Sequence, residues 1–197
     1  MSDDDRIGPE PPPIEQSQLA ALVRGRRTIA RFLPVRPADE VVMRALEAAR
    51  WVPNHKLTQP WRFHLLGRET ATKIVDLNAR RVAAARGEAA GEVKRQRWGA
   101  IPGWLAVTQV LDPDALRARE DYAACACAVH NLTLSLWCEG VASKWTTGEV
   151  TRDPEFHALL EIDPTVEEVI ALLWYGYPDE APKMRRRPVD ELLSRKP

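Results

Sequence analysis

Residues 169–177 read Val-Ile-Ala-Leu-Leu-Trp-Tyr-Gly-Tyr, an apolar run with no polar alternation. A strand with one wet face alternates polar and apolar side chains. An unbroken run of this length reads instead as a strand buried on both faces. Layers must therefore cover both sides of the sheet that holds it. Residues 16–26 supply a first helix with Leu19, Leu22 and Val23 as its apolar face, ending in basic residues that favour a helix C-terminus. A second helix is expected over 38–50, where Pro37 precedes it, Asp39 and Glu40 load its first turn, and Val41, Val42, Ala45, Leu46 and Ala49 form a stripe. Arg62 to Leu66 reads as a strand closed by Gly67, and Trp104 to Leu111 as another. Residues 69–98 are helical in propensity but heavily charged, which reads as a solvated helix pair with a mobile join around Gly87 to Gly91. Asp121 to Glu139 is the strongest helical pattern. Its small residues from Ala123 to Ala128 allow close approach, and Gly140 supplies a stop. Val141 to Trp145 reads as extended, and a short helix is expected near Val189 to Leu193. Helices and strands mix without strict βαβ alternation, so the expected class is α+β.

The 197 residues suit one domain over 16–197 with a C-terminal arm, preceded by an acidic, proline-rich leader over 1–15 expected to be disordered. Lys plus Arg equals Asp plus Glu, 28 each, so the overall field gives no reason to expect nucleic acid or a membrane surface as partner. No apolar stretch reaches the roughly 18 residues of a membrane span, and no N-terminal apolar run follows the Met. The basic residues nevertheless cluster, at 24–27 and 183–187, which on a neutral background fits a small anionic ligand. Three cysteines, all within 125–138, form no disulfide framework and point to a reducing cytoplasm. Cys125, Cys127 and His130 invite a metal. Residues two apart on a helix point away from one another, however, and no further Cys/His pair completes a set, so core packing is the expectation. Neither a G-x-G-x-x-G nor a Walker pattern is present.

The connector Trp51-Val52-Pro53-Asn54-His55-Lys56-Leu57-Thr58-Gln59-Pro60-Trp61-Arg62-Phe63 holds two Trp, a Phe, a His, a Lys and a Gln where a loop is ordinarily small and polar. Two prolines keep it from continuing the helix. Such a composition suits a wall against a flat, polar-edged ligand. Gln59 both donates and accepts, as the edge of a heteroaromatic ring requires, while Trp61 after Pro60 reads as a core anchor. Arg26, Arg27 and Thr28, with Arg31 three residues on, offer guanidinium forks and a hydroxyl suited to a phosphate, although an ordinary basic helix end is an equal reading of that segment alone.

Four landmarks together resemble the nitroreductase family of FMN-dependent oxidoreductases, in its short single-domain branch. They are Arg26-Arg27-Thr28; Pro53-Asn54-His55-Lys56 with Gln59-Pro60-Trp61; Gly140 through Trp145-Thr146-Thr147-Gly148; and Trp174-Tyr175-Gly176-Tyr177-Pro178 followed by the basic tail. The resemblance implies a nitroreductase-like α+β fold, a central, mainly antiparallel sheet flanked by helices, made as an intertwined homodimer with two FMN sites built from both chains. It implies that Arg26, Arg27 and Thr28 meet the FMN phosphate and ribityl region, with Arg186 from the tail completing the phosphate site. His55, Gln59 and Trp51 are implied beside the flavin, and Trp145, Thr146 and Thr147 along the ring or ribityl chain. No general acid or base is assigned. NADH or NADPH is implied as hydride donor, and a small electron acceptor such as a nitroaromatic or quinone as substrate. Three positions depart from the usual pattern: Thr28 replaces Ser, Leu57 stands where many members have Asn, and Ala30 replaces a basic residue. Two other readings stay open, a flavin-storing or flavin-fragmenting protein of the same fold, and a flavin-free interaction module whose Trp-rich loop meets a protein.

Overall fold

The computed structural model describes residues 14–180 and 182–196. The expected leader thus lies outside the described residues, apart from Ile14 and Glu15, which lead into the first helix. The elements are α1 (Gln16–Gly25), α2 (Asp39–Ala49), β1 (Trp61–Leu66), α3 (Arg68–Arg86), α4 (Glu88–Gly99), β2 (Gly103–Val110), α5 (Ala115–Cys138), β3 (Ala142–Thr146), α6 (Pro154–Leu159) and β4 (Glu167–Gly176), with short 3-10 turns at His55–Leu57, Glu149–Arg152 and Val189–Glu191.

The four strands form one antiparallel sheet in the order β1-β2-β4-β3. β2 and β4 occupy its centre, and the apolar run of β4 is buried from Ile170 to Gly176. Side chains alternate between two cores, as strand geometry demands. Leu105, Val107, Ala171, Leu173 and Tyr175 meet α2 and α5 on one face. Trp104, Ala106, Leu172 and Trp174 meet α3, α4 and α6 on the other. The class is α+β, with a helical layer on each face of an antiparallel sheet. A register shift between Val107 and Thr108 swings Ile170 into the first core.

α2 crosses α5 antiparallel, so that Arg44 pairs with Glu139 at 2.5 Å and Asn131 Nδ2 donates to the Ala48 carbonyl at 3.4 Å. The small residues Ala124, Cys125 and Ala128 of α5 are buried in the core that α2 and α5 share with the sheet. Gly140, at φ 74, closes α5, and Val141 N–H returns to the Leu136 carbonyl at 2.9 Å.

The α3–α4 hairpin departs from the solvated pair expected. Ala71, Ile74, Val75, Leu77, Asn78 and Ala79 are buried on α3, and Trp98 on α4. The charges occupy only the outer faces of helices whose inner faces cover the sheet. The join is the single residue Gly87, at φ 89, whose N–H bonds the Ala83 carbonyl at 2.8 Å. Gly91 belongs to the packing, since a Cβ there would meet the Ala79 carbonyl and Ala83. α5 begins at Ala115, not Asp121, because the Asp114 side chain caps it through Arg117 N–H at 2.8 Å. α6, capped by Asp153 and anchored by the fully buried Phe156, lies in a stretch read without an element.

Candidate functional site

The connector between α2 and β1 is built rather than slack. The Asn54 carboxamide accepts from Gln59 N–H at 2.7 Å and donates to Thr58 Oγ1 at 2.9 Å, and Thr58 Oγ1 donates to Asp121 Oδ1 on α5 at 2.5 Å. Asp121 is a buried carboxylate, 4% exposed, and the Thr58 hydroxyl is what it holds. This relay fixes an uncommon backbone: Lys56, Leu57 and Gln59 have φ of 56, 51 and 46, the left-handed region that non-glycine residues rarely enter. Strain of this kind is tolerated where surrounding structure over-determines it, and it clusters at ligand-handling loops. His55, Lys56, Leu57 and Gln59 consequently project outward, all exposed. Trp51 is 71% exposed, its indole N–H bonded to Glu47 at 2.9 Å and its ring beneath the Arg50 guanidinium at 5.0 Å. Trp61, by contrast, is buried at the foot of β1, as an anchor should be.

The basic cluster forms elsewhere. α1 ends against the Trp137 indole near the C-terminus of α5. The chain then runs along the outer edge of β3, with Thr28 bridging Ser143 in parallel and Ile29 N–H bonding the Ser143 carbonyl at 3.1 Å. The tail is drawn back to the same place, because Arg27 Nε donates to the Pro182 carbonyl at 3.2 Å and Glu180 accepts from Ala30 N–H at 3.0 Å. The Arg26 guanidinium is pushed below its ordinary pKa by burial first, then by Arg27 and Arg186. Neither Arg26 nor Arg186 belongs to an ion pair among the described residues. Arg27 spends its donors on backbone carbonyls, including that of Arg26 at 2.9 Å. A phosphate bound beside Arg26 would relieve the like-charge burden that Arg27 and Arg186 place on it.

β3 continues this site. Trp145 turns inward and donates its indole N–H to the Ile170 carbonyl at 3.0 Å, while Thr146 is half-buried and Thr147 exposed at the strand end. Lys144, between these residues and the arginine edge, escaped the sequence reading. Its ammonium lies 4.7 Å over the Trp174 ring, and burial, then Arg97 and Lys94, hold its pKa below the usual value. The signal was available: it is the one charged residue in a five-residue strand.

The candidates thus form two groups. Arg26, Arg27, Thr28, Trp145, Thr146, Thr147 and Arg186 gather along the β3 edge, whereas Trp51, His55 and Gln59 belong to the connector that precedes β1. Three strand spacings separate those edges, about 14 Å. Along α5, contacts at Asp121 and at Trp137 lie 16 residues apart, about 24 Å. One chain does not bring the two groups together. Among the described residues no group of three metal-ligating side chains exists, and no helix is long and apolar enough to cross a membrane.

Comparison with known proteins bears on both groups. YfhC of Bacillus subtilis (strain 168), provisionally named an NAD(P)H nitroreductase, is 31% identical over 178 residues, 88% of this chain and 91% of its own. A nitroreductase-like family protein from Bacillus cereus superposes with a TM-score of 0.79 at 27% identity, over 90% of this chain and 95% of that one. A protein from Desulfovibrio desulfuricans provisionally named a nitroreductase, solved in complex with FMN, shares the fold at TM-score 0.72 and 23% identity, over 95% and 98% of the two chains. The model of the nitroreductase family matches residues 23–177, a span that runs from α1 to the end of β4 and takes in both groups of candidate residues except Arg186. The chain belongs to the nitroreductase family.

Proposed function

We propose that the protein is a cytoplasmic, homodimeric FMN-dependent oxidoreductase that takes hydride from NADH or NADPH and reduces a nitroaromatic, a quinone or a similar small electrophile in a ping-pong cycle. The observation that carries the reading is the return of the tail to the Arg26–Thr28 edge, where Arg27 donates to the Pro182 carbonyl and the like charge of Arg186 bears on Arg26 across 160 positions. Two guanidinium forks and a hydroxyl fit the phosphate of FMN. Bound there, FMN supplies the hydride chemistry and the protein supplies orientation and electrostatics. Arg26, Arg186 and Thr28 hold the phosphate, and Trp145, Thr146 and Thr147 line the ribityl chain and ring. The ammonium of Lys144 adds positive charge to the same wall.

The separation of the two candidate groups supports the dimer. A second copy is needed to bring a connector carrying Trp51, His55 and Gln59 to the β3 edge of the first. α1 has an apolar face that no other described residue covers fully, with Leu19 52% and Val23 47% exposed. Within the completed site, His55 and Lys56 offer positive charge or hydrogen bonds to a reduced ring, and Gln59 a donor and an acceptor to its edge.

The test begins with purification. A yellow protein whose colour is bleached by NADH or NADPH and restored by a nitroaromatic or a quinone is expected. A colourless protein that takes up no added FMN would overturn the flavin reading. A bound flavin that neither nicotinamide reduces would overturn the reductase and favour flavin storage.

A further inference from the structure

Beyond β4 the chain folds back along the segment that follows α1. Leu33 N–H donates to the Tyr177 carbonyl at 2.9 Å, Phe32 bridges Pro178 in the antiparallel sense, and Asp179 N–H donates to the Arg31 carbonyl at 3.1 Å. Backbone pairing ends there, and a side chain takes it over. One carboxylate oxygen of Glu180 accepts from two successive amides, Ala30 N–H at 3.0 Å and Arg31 N–H at 3.3 Å. Its other oxygen lies 3.5 Å from Arg31 Nε, on a side chain 70% exposed, so that pair adds little. The amide bonds carry the attachment, because a charged acceptor makes a hydrogen bond about twice as strong as a neutral one. They also hold the Glu180 carboxyl below the usual carboxylate range, the Ala30 amide foremost, so it is ionised at neutral pH.

Arg27 Nε adds one further tie, to the Pro182 carbonyl at 3.2 Å. After Pro182 the ties stop. Residues 183–196 are all exposed, and among the described residues no hydrogen bond or ion pair joins them to the rest of the chain. Arg186 follows four residues after Pro182, a reach of at most about 14 Å. Where Arg186 can go is therefore set by the attachment behind it and not by contacts of its own. A carboxylate beside a phosphate site has two opposed effects: as a charge it repels the phosphate, and as a clip it brings a guanidinium within reach. The repulsion is screened by solvent and salt. Loss of the clip lengthens the free tether and lowers the effective concentration of Arg186 at the phosphate. We propose that Glu180 is a positioning residue for the cofactor: seated on the Ala30 and Arg31 amides, its carboxylate clips the tail so that Arg186 meets the phosphate of FMN. This role rests on the Arg26–Thr28 edge holding that phosphate, as proposed above.

The test is a set of fluorescence titrations of the full chain with FMN and with riboflavin, which has the same ring and no phosphate. The parent is expected to prefer FMN. Glu180→Ala should weaken FMN about tenfold, leave riboflavin within about twofold, and flatten the salt dependence of FMN binding. Arg186→Ala should lose at least as much, and the double variant should be no weaker than Arg186→Ala alone. Glu180→Gln removes the charge but keeps an oxygen for the two amides, so it should bind FMN within about twofold of the parent. Charge repulsion alone predicts the opposite sign, with FMN tighter in both Glu180 variants. Three results would overturn the proposal: FMN binding unchanged or tighter in Glu180→Ala, an equal loss of FMN and riboflavin, or losses from Glu180→Ala and Arg186→Ala that multiply. A preference for FMN that Arg186→Ala abolishes and Glu180→Ala spares overturns the clip alone. A parent that does not prefer FMN over riboflavin overturns the phosphate site, and the clip with it.

Discussion

Replacing Thr58 by valine keeps the side-chain shape and deletes one hydroxyl, and that hydroxyl is the hinge pin of the connector. It donates to the buried Asp121 carboxylate at 2.5 Å and accepts from Asn54 at 2.9 Å. A hydrogen bond to a charged acceptor contributes about 1.5–3 kcal/mol, and a buried acceptor left alone costs on the same order. Against it stands the backbone of Lys56, Leu57 and Gln59, held at positive φ, where each non-glycine residue costs about 1–2 kcal/mol. Roughly 3–6 kcal/mol of local strain is thus restrained largely by one relay. Loss of about 2 kcal/mol shifts the open population of the loop some 30-fold. Hydrogen exchange on a peptide spanning residues 53–60 reads this directly, because the Gln59 amide donates to Asn54 Oδ1 and the Leu57 amide to the Asn54 carbonyl. Protection of those two amides should fall about 30-fold in Thr58→Val while the β2–β4 ladder keeps its own. Asp121→Asn, which retains an acceptor oxygen, should lose less. Unchanged loop protection in Thr58→Val, or an equal loss throughout the sheet, would refute the relay as the local restraint.

Arg26→Ala and Arg186→Ala should each weaken FMN binding about 10- to 100-fold and reduce its salt dependence, measured by fluorescence titration. Burial and the neighbouring Asp121 push the Cys125 thiol up to about 12, so iodoacetamide should label the exposed Cys127 and Cys138 in the native protein and reach Cys125 only after unfolding. Lys144 has a folded pKa below its unfolded value of 10.5, so the unfolded chain binds the extra proton between the two. Stability should therefore rise with pH across that window relative to Lys144→Met, and run parallel to it at lower pH, in denaturant titrations.

Much of this arrangement is legible in the sequence, and the reasons differ by element. The β4 run declared itself because burial on both faces removes polar alternation, and α2 because its stripe has helical period. Both follow from single-residue chemistry. α3 departs from its expected exposure because Ile74, Val75 and Leu77 are few among many charges, and a sheet-covering helix of that composition resembles a solvated one until its partner is known. α6 hid in six residues whose one anchor, Phe156, earns its burial from contacts distant in sequence. The connector was singled out for its composition. Its positive φ values, and the role of Asp121, depend on a contact across 63 positions that no local pattern encodes. Arg186 follows from the resemblance alone, since no local pattern sets it apart from Arg185 and Arg187.

The distance between the connector and the β3 edge has a genetic consequence. If each chain donates its loop to one site and its arginines to another, a chain damaged in the loop and a chain damaged in the arginines carry complementary defects. Mixed together, they assemble pairs holding one ruined site and one intact site. The same two lesions placed in a single chain leave every site crippled when that chain pairs with itself. Recovery of activity on mixing, from partners each inactive alone, would make the unit of inheritance the chain and the unit of chemistry the pair.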